Sequence, residues 1–310
     1  MDRLRRPLFP LLVLLWSSTC LHAQITSGSQ LGHAGISRET WHAMSGGPCA
    51  WFRPIEDPDH SLAVSRIVTL LRFYNFRCVA MPIGAAPPQS WGDFRNLLRA
   101  VQAADIDLWA ILIPPTEGGD SHPYDTDYVK WVRVLSELSL KYSHLRGVNI
   151  DDLFMGFNGK TFTHSYLHQI YEAKQSINPH FLFIPTVYEL DDRTVAFLEG
   201  CVDGVWLWWT NLERSLGFAS FLENTQAVVG QRFPIYGGLY AQGTSWHKGE
   251  PGVRAFLGSI QAACQYSHGA VVWGLSLDIN DPLLQIAKTY NLGGTAKLAD
   301  QCGQSQASGK

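Results

Sequence analysis

A chain of 310 residues, 46% hydrophobic and only 16% charged, carries ample apolar material for one large core, and its length suits one large α/β domain better than two average ones. The formal net charge of −3 is small, and no Lys/Arg run or basic helix breaks the pattern, so neither nucleic acid nor an anionic membrane surface is expected as a partner.

In chain order, Arg3, Arg5 and Arg6 precede a short apolar run at 8–16, and Leu21-His22-Ala23 puts a small residue at a cleavage position. Residues 1–23 therefore read as a secretory signal peptide. The apolar run is too short to span a bilayer, so no transmembrane segment is expected in the mature chain. The rival is a lipoprotein acylated at Cys20, but Ser17-Ser18-Thr19 before it match a lipobox poorly. The expected location is secreted or periplasmic. Residues 24–47, rich in Ser, Gly and His, read as a loose leader, and 293–310 as a tail that frays.

Between them a short β-branched or aromatic run alternates with an amphipathic stretch of helical length. Strands are predicted at 50–54, 78–82, 108–113, 147–151, 181–187, 204–208, 235–240 and 270–275. Helices are predicted at 61–74, 128–142, 166–176, 194–198, 215–229, 253–266 and 282–290. Leu62, Ile67, Leu70 and Leu71 share a face of the first, and Asp127 is placed to cap the second. Eight such units of about 30 residues match a single-domain (β/α)8 TIM barrel over 48–292. A doubly wound sheet would carry a glycine-rich loop after the first strand, where this chain reads Arg53-Pro54-Ile55-Glu56-Asp57-Pro58.

The cysteines left after signal removal, Cys49, Cys78, Cys201, Cys264 and Cys302, are widely spaced with no CxxC pair. Zinc is not expected, disulfides are permitted in an exported chain, and the odd count leaves at least one thiol unpaired.

Barrel chemistry collects at the C-terminal ends of the strands. The fourth strand ends Gly147-Val148-Asn149-Ile150-Asp151-Asp152-Leu153-Phe154, two adjacent carboxylates after an apolar strand. Alternation puts Asn149 and Asp151 in the barrel interior, while Asp152 stands where the chain turns out, lining the top or facing away. Crowded carboxylates near a cavity raise one another's pKa, as a general acid requires; the competing role is an Asp that merely caps a loop or helix. This stretch resembles the fourth-strand signature of glycosidase-like TIM barrels, Gly-apolar-x-apolar-Asp-Asp-x-Phe. It is also distantly similar to the Asp-Gly-x-Asp-x-Asp-x-Glu stretch of family 18 chitinases. There Gly147 and Asp151 match, whereas Arg146 and Asn149 replace two aspartates and Leu153 stands in place of the acid glutamate, which argues against a chitinase mechanism.

The resemblance implies glycoside hydrolysis, which uses two carboxyl groups. Asp151 is then nucleophile or base and Asp152 assists or replaces it. Glu189, after the fifth strand, is the first choice of acid, although Asp191 and Asp192 following it equally suggest an acid at a helix start. Asp278, which follows the eighth strand across the barrel mouth, is the alternative acid, and Glu117, after the third strand in a flexible Pro-Pro-Thr-Glu-Gly-Gly loop, is a further candidate partner for Asp151.

Arg53 is a candidate for fixing a substrate carboxylate or hydroxyl, or for pairing with a barrel acid. Tyr188, Trp208, Tyr240, Gln242 and Trp273, with Trp246 in a loop, supply rings and tips for a sugar, and Asn149 joins them as a ligand contact. Trp206 and Trp208 face one side and Trp209 the other. The histidines show no metal-binding pattern, and His164 and His168 share only a helix face. There is no Gly-x-Ser-x-Gly elbow and no phosphate loop, so neither metal nor cofactor is expected. Two alternatives remain: a non-catalytic carbohydrate-binding barrel, and a barrel hydrolase of another bond type.

Overall fold

The structure is a computed structural model and describes residues 49–51, 55–210, 217–242, 252–274 and 279–289. The signal, leader and tail, the Cys20 alternative, Arg53, Trp246, Asp278 and Cys302 lie outside the described residues.

The strands are β1 (Cys49–Trp51), β2 (Cys78–Ile83), β3 (Asp107–Leu112), β4 (Leu145–Ile150), β5 (Leu182–Phe183), β6 (Thr186–Val187), β7 (Val205–Trp208), β8 (Ile235–Tyr240) and β9 (Gly269–Trp273). They pair in the order β5-β4-β3-β2-β1-β9-β8-β7-β6, every neighbour parallel. The two ends of this order, β5 and β6, are halves of the single strand predicted at 181–187. Pro185 has no N–H to give to a ladder, so the strand breaks there. The break also makes the closure: Ile184 N donates to Val148 O at 3.0 Å, and Trp206 N donates to Pro185 O at 2.9 Å. The fold is a closed (β/α)8 barrel.

Side chains alternate across its wall. Val79, Met81, Leu108, Ala110, Leu112, Val205 and Leu207 pack outward into the layer shared with the helices. Cys78, Ala80, Trp109, Ile111, Trp206 and Trp208 fill the interior with Trp51, Tyr236 and Tyr240. Two glycines make room for this filling. A Cβ on Gly147 would overlap the Trp109 ring, and one on Gly238 would overlap the Trp208 ring. The glycine that opens the fourth-strand motif thus answers to a tryptophan on the neighbouring strand.

The helices are α1 (Val64–Phe73), α2 (Trp91–Ala103), α3 (Tyr128–Lys141), α4 (Asn158–Thr161), α5 (His164–Gln175), α6 (Asp192–Leu198), α7 (Phe218–Val229), α8 (Val253–Tyr266) and α9 (Pro282–Thr289). The helix predicted from residue 61 starts at Val64, because the preceding loop folds back through a Glu56–Leu62 antiparallel bridge. α2 stands in a stretch to which apolar periodicity assigned no helix. Its start is a capping box: Ser90 Oγ accepts from Asp93 N at 3.2 Å, and Ser90 N donates to Asp93 Oδ2 at 3.1 Å. Asp127 caps α3 as expected, accepting from Lys130 N at 3.0 Å.

Cys49 and Cys78, the first residues of β1 and β2, form a disulfide inside the barrel. Cys264 is also disulfide-bonded, and Cys201 is a free, buried thiol.

Candidate active site

The site is built from the C-terminal end of β4 and the loops around it. Asn149, fully buried, donates from Nδ2 to Ile184 O at 2.7 Å and to Thr186 Oγ1 at 3.1 Å. Both amide hydrogens hold the split strand to β4 across the closure. Asn149 therefore supports the site from below, a correction to its expected place among the ligand contacts.

Asp151 follows two residues on, with its N donating to Leu112 O at 3.2 Å. Burial, reinforced by the negative charges of Asp152 and Glu117, pushes its carboxyl well above the usual carboxylate range. The Asp152 N–H, which donates to Asp151 Oδ1 at 3.0 Å, and Thr186 pull more weakly the other way. Asp152 adopts a left-handed backbone, φ +47°, a conformation Asp tolerates better than most residues. That turn brings its side chain to the mouth, where Tyr188 Oη donates to Asp152 Oδ1. Desolvation raises the Asp152 carboxyl, and this hydrogen bond opposes the rise. Leu153, at the position of the chitinase acid, is fully buried in the outer core.

Glu117 arrives on the 3-10 turn Pro115–Glu117 beyond β3, released by Gly118 and Gly119 at φ +100° and +66°. Desolvation first, and then the charge of Asp152, raise its carboxyl. The loops carrying Glu117 and Asp152 are joined by Asn158, a buried residue at the start of α4. Its Nδ2 donates to Thr116 Oγ1 and to Asp152 O, both at 2.7 Å, and its Oδ1 accepts from Thr116 N at 3.0 Å. Sequence reasoning missed Asn158, which carries no local signal: its partners lie 42 and 6 residues away. Thr186, which closes the seam beneath Asp151, was missed for the same reason.

Aromatic rings pack in the barrel interior beside these carboxyls. The centroids of Trp208 and Tyr240 lie 4.9 Å apart, Trp51 meets Trp208 edge-on at 5.5 Å, and Trp273 meets Tyr240 at 6.0 Å. Burial and the negative charges of Asp151 and Asp152 push the Tyr188 and Tyr240 phenols far up, so both stay hydrogen-bond donors. Gln242 sits just beyond β8, its side chain against Gly274, which holds φ +95°. Trp209 turns outward into the helix layer and Trp206 lies deep in the interior, as alternation requires.

Glu189 is solvent-exposed on the wall of an open cleft beside the mouth. It serves neither as cap nor as first-turn acid of α6: Asp191 caps that helix, accepting from Thr194 N at 2.7 Å, and Asp192 is the first-turn acid. His164 and His168 are exposed on α5; His164 Nε2 lies 3.7 Å from the Cys201 thiol.

No protein-family model and no curated protein matches the chain. Solved structures do. An endo-α-mannosidase of Bacteroides thetaiotaomicron superposes with TM-score 0.51 at 11% identity, covering 78% of this chain and 80% of the mannosidase. An endocellulase of Pyrococcus horikoshii gives 0.52 at 12%, covering 79% and 92%. An α-L-fucosidase of Paenibacillus thiaminolyticus gives 0.56 at 12% identity over 81% of this chain, which spans about half (49%) of that enzyme's length. At such identities the likeness shows the fold alone. The described helices include none long and apolar enough to cross a membrane.

Proposed function

We propose that this barrel hydrolyses a glycan, with Asp151 as general acid and Asp152 as its ionised partner. One observation carries the reading: two adjacent, partly buried carboxyls stand at the end of β4, Asp152 bonded to the Tyr188 hydroxyl. Neighbouring titratable groups whose surroundings push their pKa values apart divide the acid and base roles. Burial and the neighbouring acids raise Asp151 and favour its protonated form, which suits an acid better than a nucleophile. Asp152 receives the Tyr188 hydrogen bond, which favours its ionised form and suits a base or nucleophile. Tyr188 and Trp273, the partly exposed rings beside the buried Trp208 and Tyr240, offer a donor and an apolar face to a sugar ring. The barrel likeness to a mannosidase, a cellulase and a fucosidase supports the substrate class by analogy of fold.

The same proposal includes export. The arginine-led apolar run at the N-terminus supports it, as does the Cys49–Cys78 disulfide, since such bonds persist in oxidising compartments.

The test is hydrolysis of a panel of soluble polysaccharides and aryl glycosides by the wild type, Asp151→Asn and Asp152→Asn. Turnover that falls about 10²-fold or more in either variant is the expected result. Absence of turnover on every substrate, with glycan binding retained in both variants, would identify a carbohydrate-binding barrel instead.

A further inference from the structure

Next to the carboxylates, between the loop after β4 and the segment after β6, lies an open cleft of about 660 Å³. Its floor is aromatic, with Phe154 and Phe197 meeting edge to face at 5.7 Å. Its polar groups carry both signs: Glu189 and Arg193, with the hydroxyls of Thr194 and Thr210. Tyr188 belongs to both places, lining the cleft while its hydroxyl is bonded to Asp152.

We propose that this cleft is a subsite for a further sugar unit of a neutral glycan, contiguous with the carboxylates through Tyr188, in which Glu189 binds hydroxyls and is not the acid. The proposal rests on the glycan reading above. The cleft's volume falls within the range of roughly 300–1,000 Å³ in which small-ligand sites are found, and its apolar floor with a few polar groups is their usual make-up. Phenyl rings pack on the C–H face of a pyranose. A carboxylate that only accepts and a guanidinium that only donates divide adjacent hydroxyls between them. An acidic sugar fits poorly: Glu189 opposes Arg193 within the cleft, and the Asp191 carboxylate interacts with the same guanidinium from outside it. An occupant of the cleft presses on the ring whose hydroxyl holds Asp152, so binding there bears on the catalytic pair.

The experiment uses the full chain carrying Asp151→Asn to suppress turnover. Hexasaccharides of β-1,4-glucan, α-1,4-glucan and β-1,4-mannan, the matching monosaccharides and a galacturonate hexamer are titrated calorimetrically. At least one neutral hexamer is expected to bind about tenfold or more tighter than its monosaccharide, and Arg193→Ala is expected to abolish most of that gain. Arg193 is solvent-exposed, and a thermal melt verifies that this variant stays folded. Failure of all neutral hexamers, preference for galacturonate alone, or a gain that survives Arg193→Ala would overturn the subsite. In the otherwise wild-type chain, Glu189→Gln is expected to raise KM on the preferred hexamer about tenfold with kcat within about twofold, the signature of lost uniform binding. A fall of about 10²-fold in kcat would make Glu189 the acid and overturn its assignment to the subsite. The two readings separate cleanly. Chain-length-dependent binding without any wild-type turnover sinks hydrolysis and leaves the subsite, whereas turnover indifferent to chain length and to Arg193→Ala does the reverse.

Discussion

Asp151 carries its negative charge at a cost to the fold. Burial and the charges of Asp152 and Glu117 favour its protonated form, so the folded state holds a proton at pH values where the unfolded chain has released it. Stability therefore falls as pH rises from the ordinary Asp range, near 3.9, through the raised folded value. Below that range both states are protonated and no penalty exists. Asn imitates the protonated carboxyl at every pH. Asp151→Asn is thus expected to melt roughly 2–4 °C above the wild type at pH 7, the shift that about 1 kcal/mol gives in a domain of this size, with the difference closing toward pH 3. Equal melting points at pH 7 would show that the carboxyl is not strained by its surroundings. Tyr188 acts on the partner acid in the opposite sense. Its hydroxyl lowers Asp152 against burial, so Tyr188→Phe lets that carboxyl rise. A charge-assisted hydrogen bond is worth about 1.5–3 kcal/mol, so kcat/KM is expected to fall about tenfold or more at neutral pH. The acid limb of the pH–kcat/KM profile should move to higher pH, and a limb that stays in place would remove Asp152 from the ionised role. The two aspartates were legible in the sequence because strand alternation and the barrel rule point at them directly. The left-handed turn at Asp152 was not, since it depends on how the chain leaves β4 toward Asn158 and Tyr188.

At the level of elements, the loops after β3 and β4 form one unit because Asn158 ties them. Its amide holds Thr116, next to Glu117, on one side and the Asp152 carbonyl on the other. Asn158→Leu leaves the Thr116 N–H and the Asp152 carbonyl unpaired where both are partly buried, and a lost partner of this kind costs about 1 kcal/mol or more. Urea unfolding should register that loss. Because Glu117 raises Asp151, a freed Glu117 loop should also lower the Asp151 carboxyl, readable as a carboxyl 13C titration. A destabilised variant with an unchanged Asp151 titration would make Asn158 a structural residue only. Why this clamp escaped notice also explains the two misread elements. Hydrophobic periodicity finds a helix by its apolar stripe, and it passed over α2, whose entry is declared by Ser90 and Asp93, a polar pair three residues apart. The same periodicity read 181–187 as one strand, because its apolar run continues through Pro185 while the ladder does not. Patterns of burial are legible along the chain; hydrogen bonds that close a loop or break a ladder depend on partners elsewhere.

For the whole molecule, the barrel was legible because two periods coexist in the sequence: alternation along the strands and a helical stripe between them. The interior, however, is filled in a manner the alternation does not disclose. Trp51, Trp109, Trp206 and Trp208 occupy it together, the rings of Trp109 and Trp208 lying over Gly147 and Gly238. β1 has only three residues, yet it sits between β2 and β9 and presents Trp51 to both Trp206 and Trp208. So short a strand has few ladder bonds of its own, and the Cys49–Cys78 disulfide joins its first residue to the first residue of β2. With the two cysteines 29 positions apart, closing that loop in the unfolded chain is worth about 3–4 kcal/mol on the chain-entropy account. The double variant Cys49→Ala/Cys78→Ala, which leaves no stray thiol, is therefore expected to lose about 3–4 kcal/mol and roughly 6–16 °C in Tm. Both sulfurs are fully buried among the interior side chains, so the missing volume adds to the loss. The indoles report where the loss falls. If β1 is what the bridge secures, Trp51 leaves Trp208 early, and tryptophan emission shifts to the red at lower denaturant than helical circular dichroism decays. Coincident transitions would mean that the bridge stabilises the barrel as one cooperative unit, and a loss under about 1 kcal/mol would mean that the strand is held by its ladder and the tryptophan packing alone.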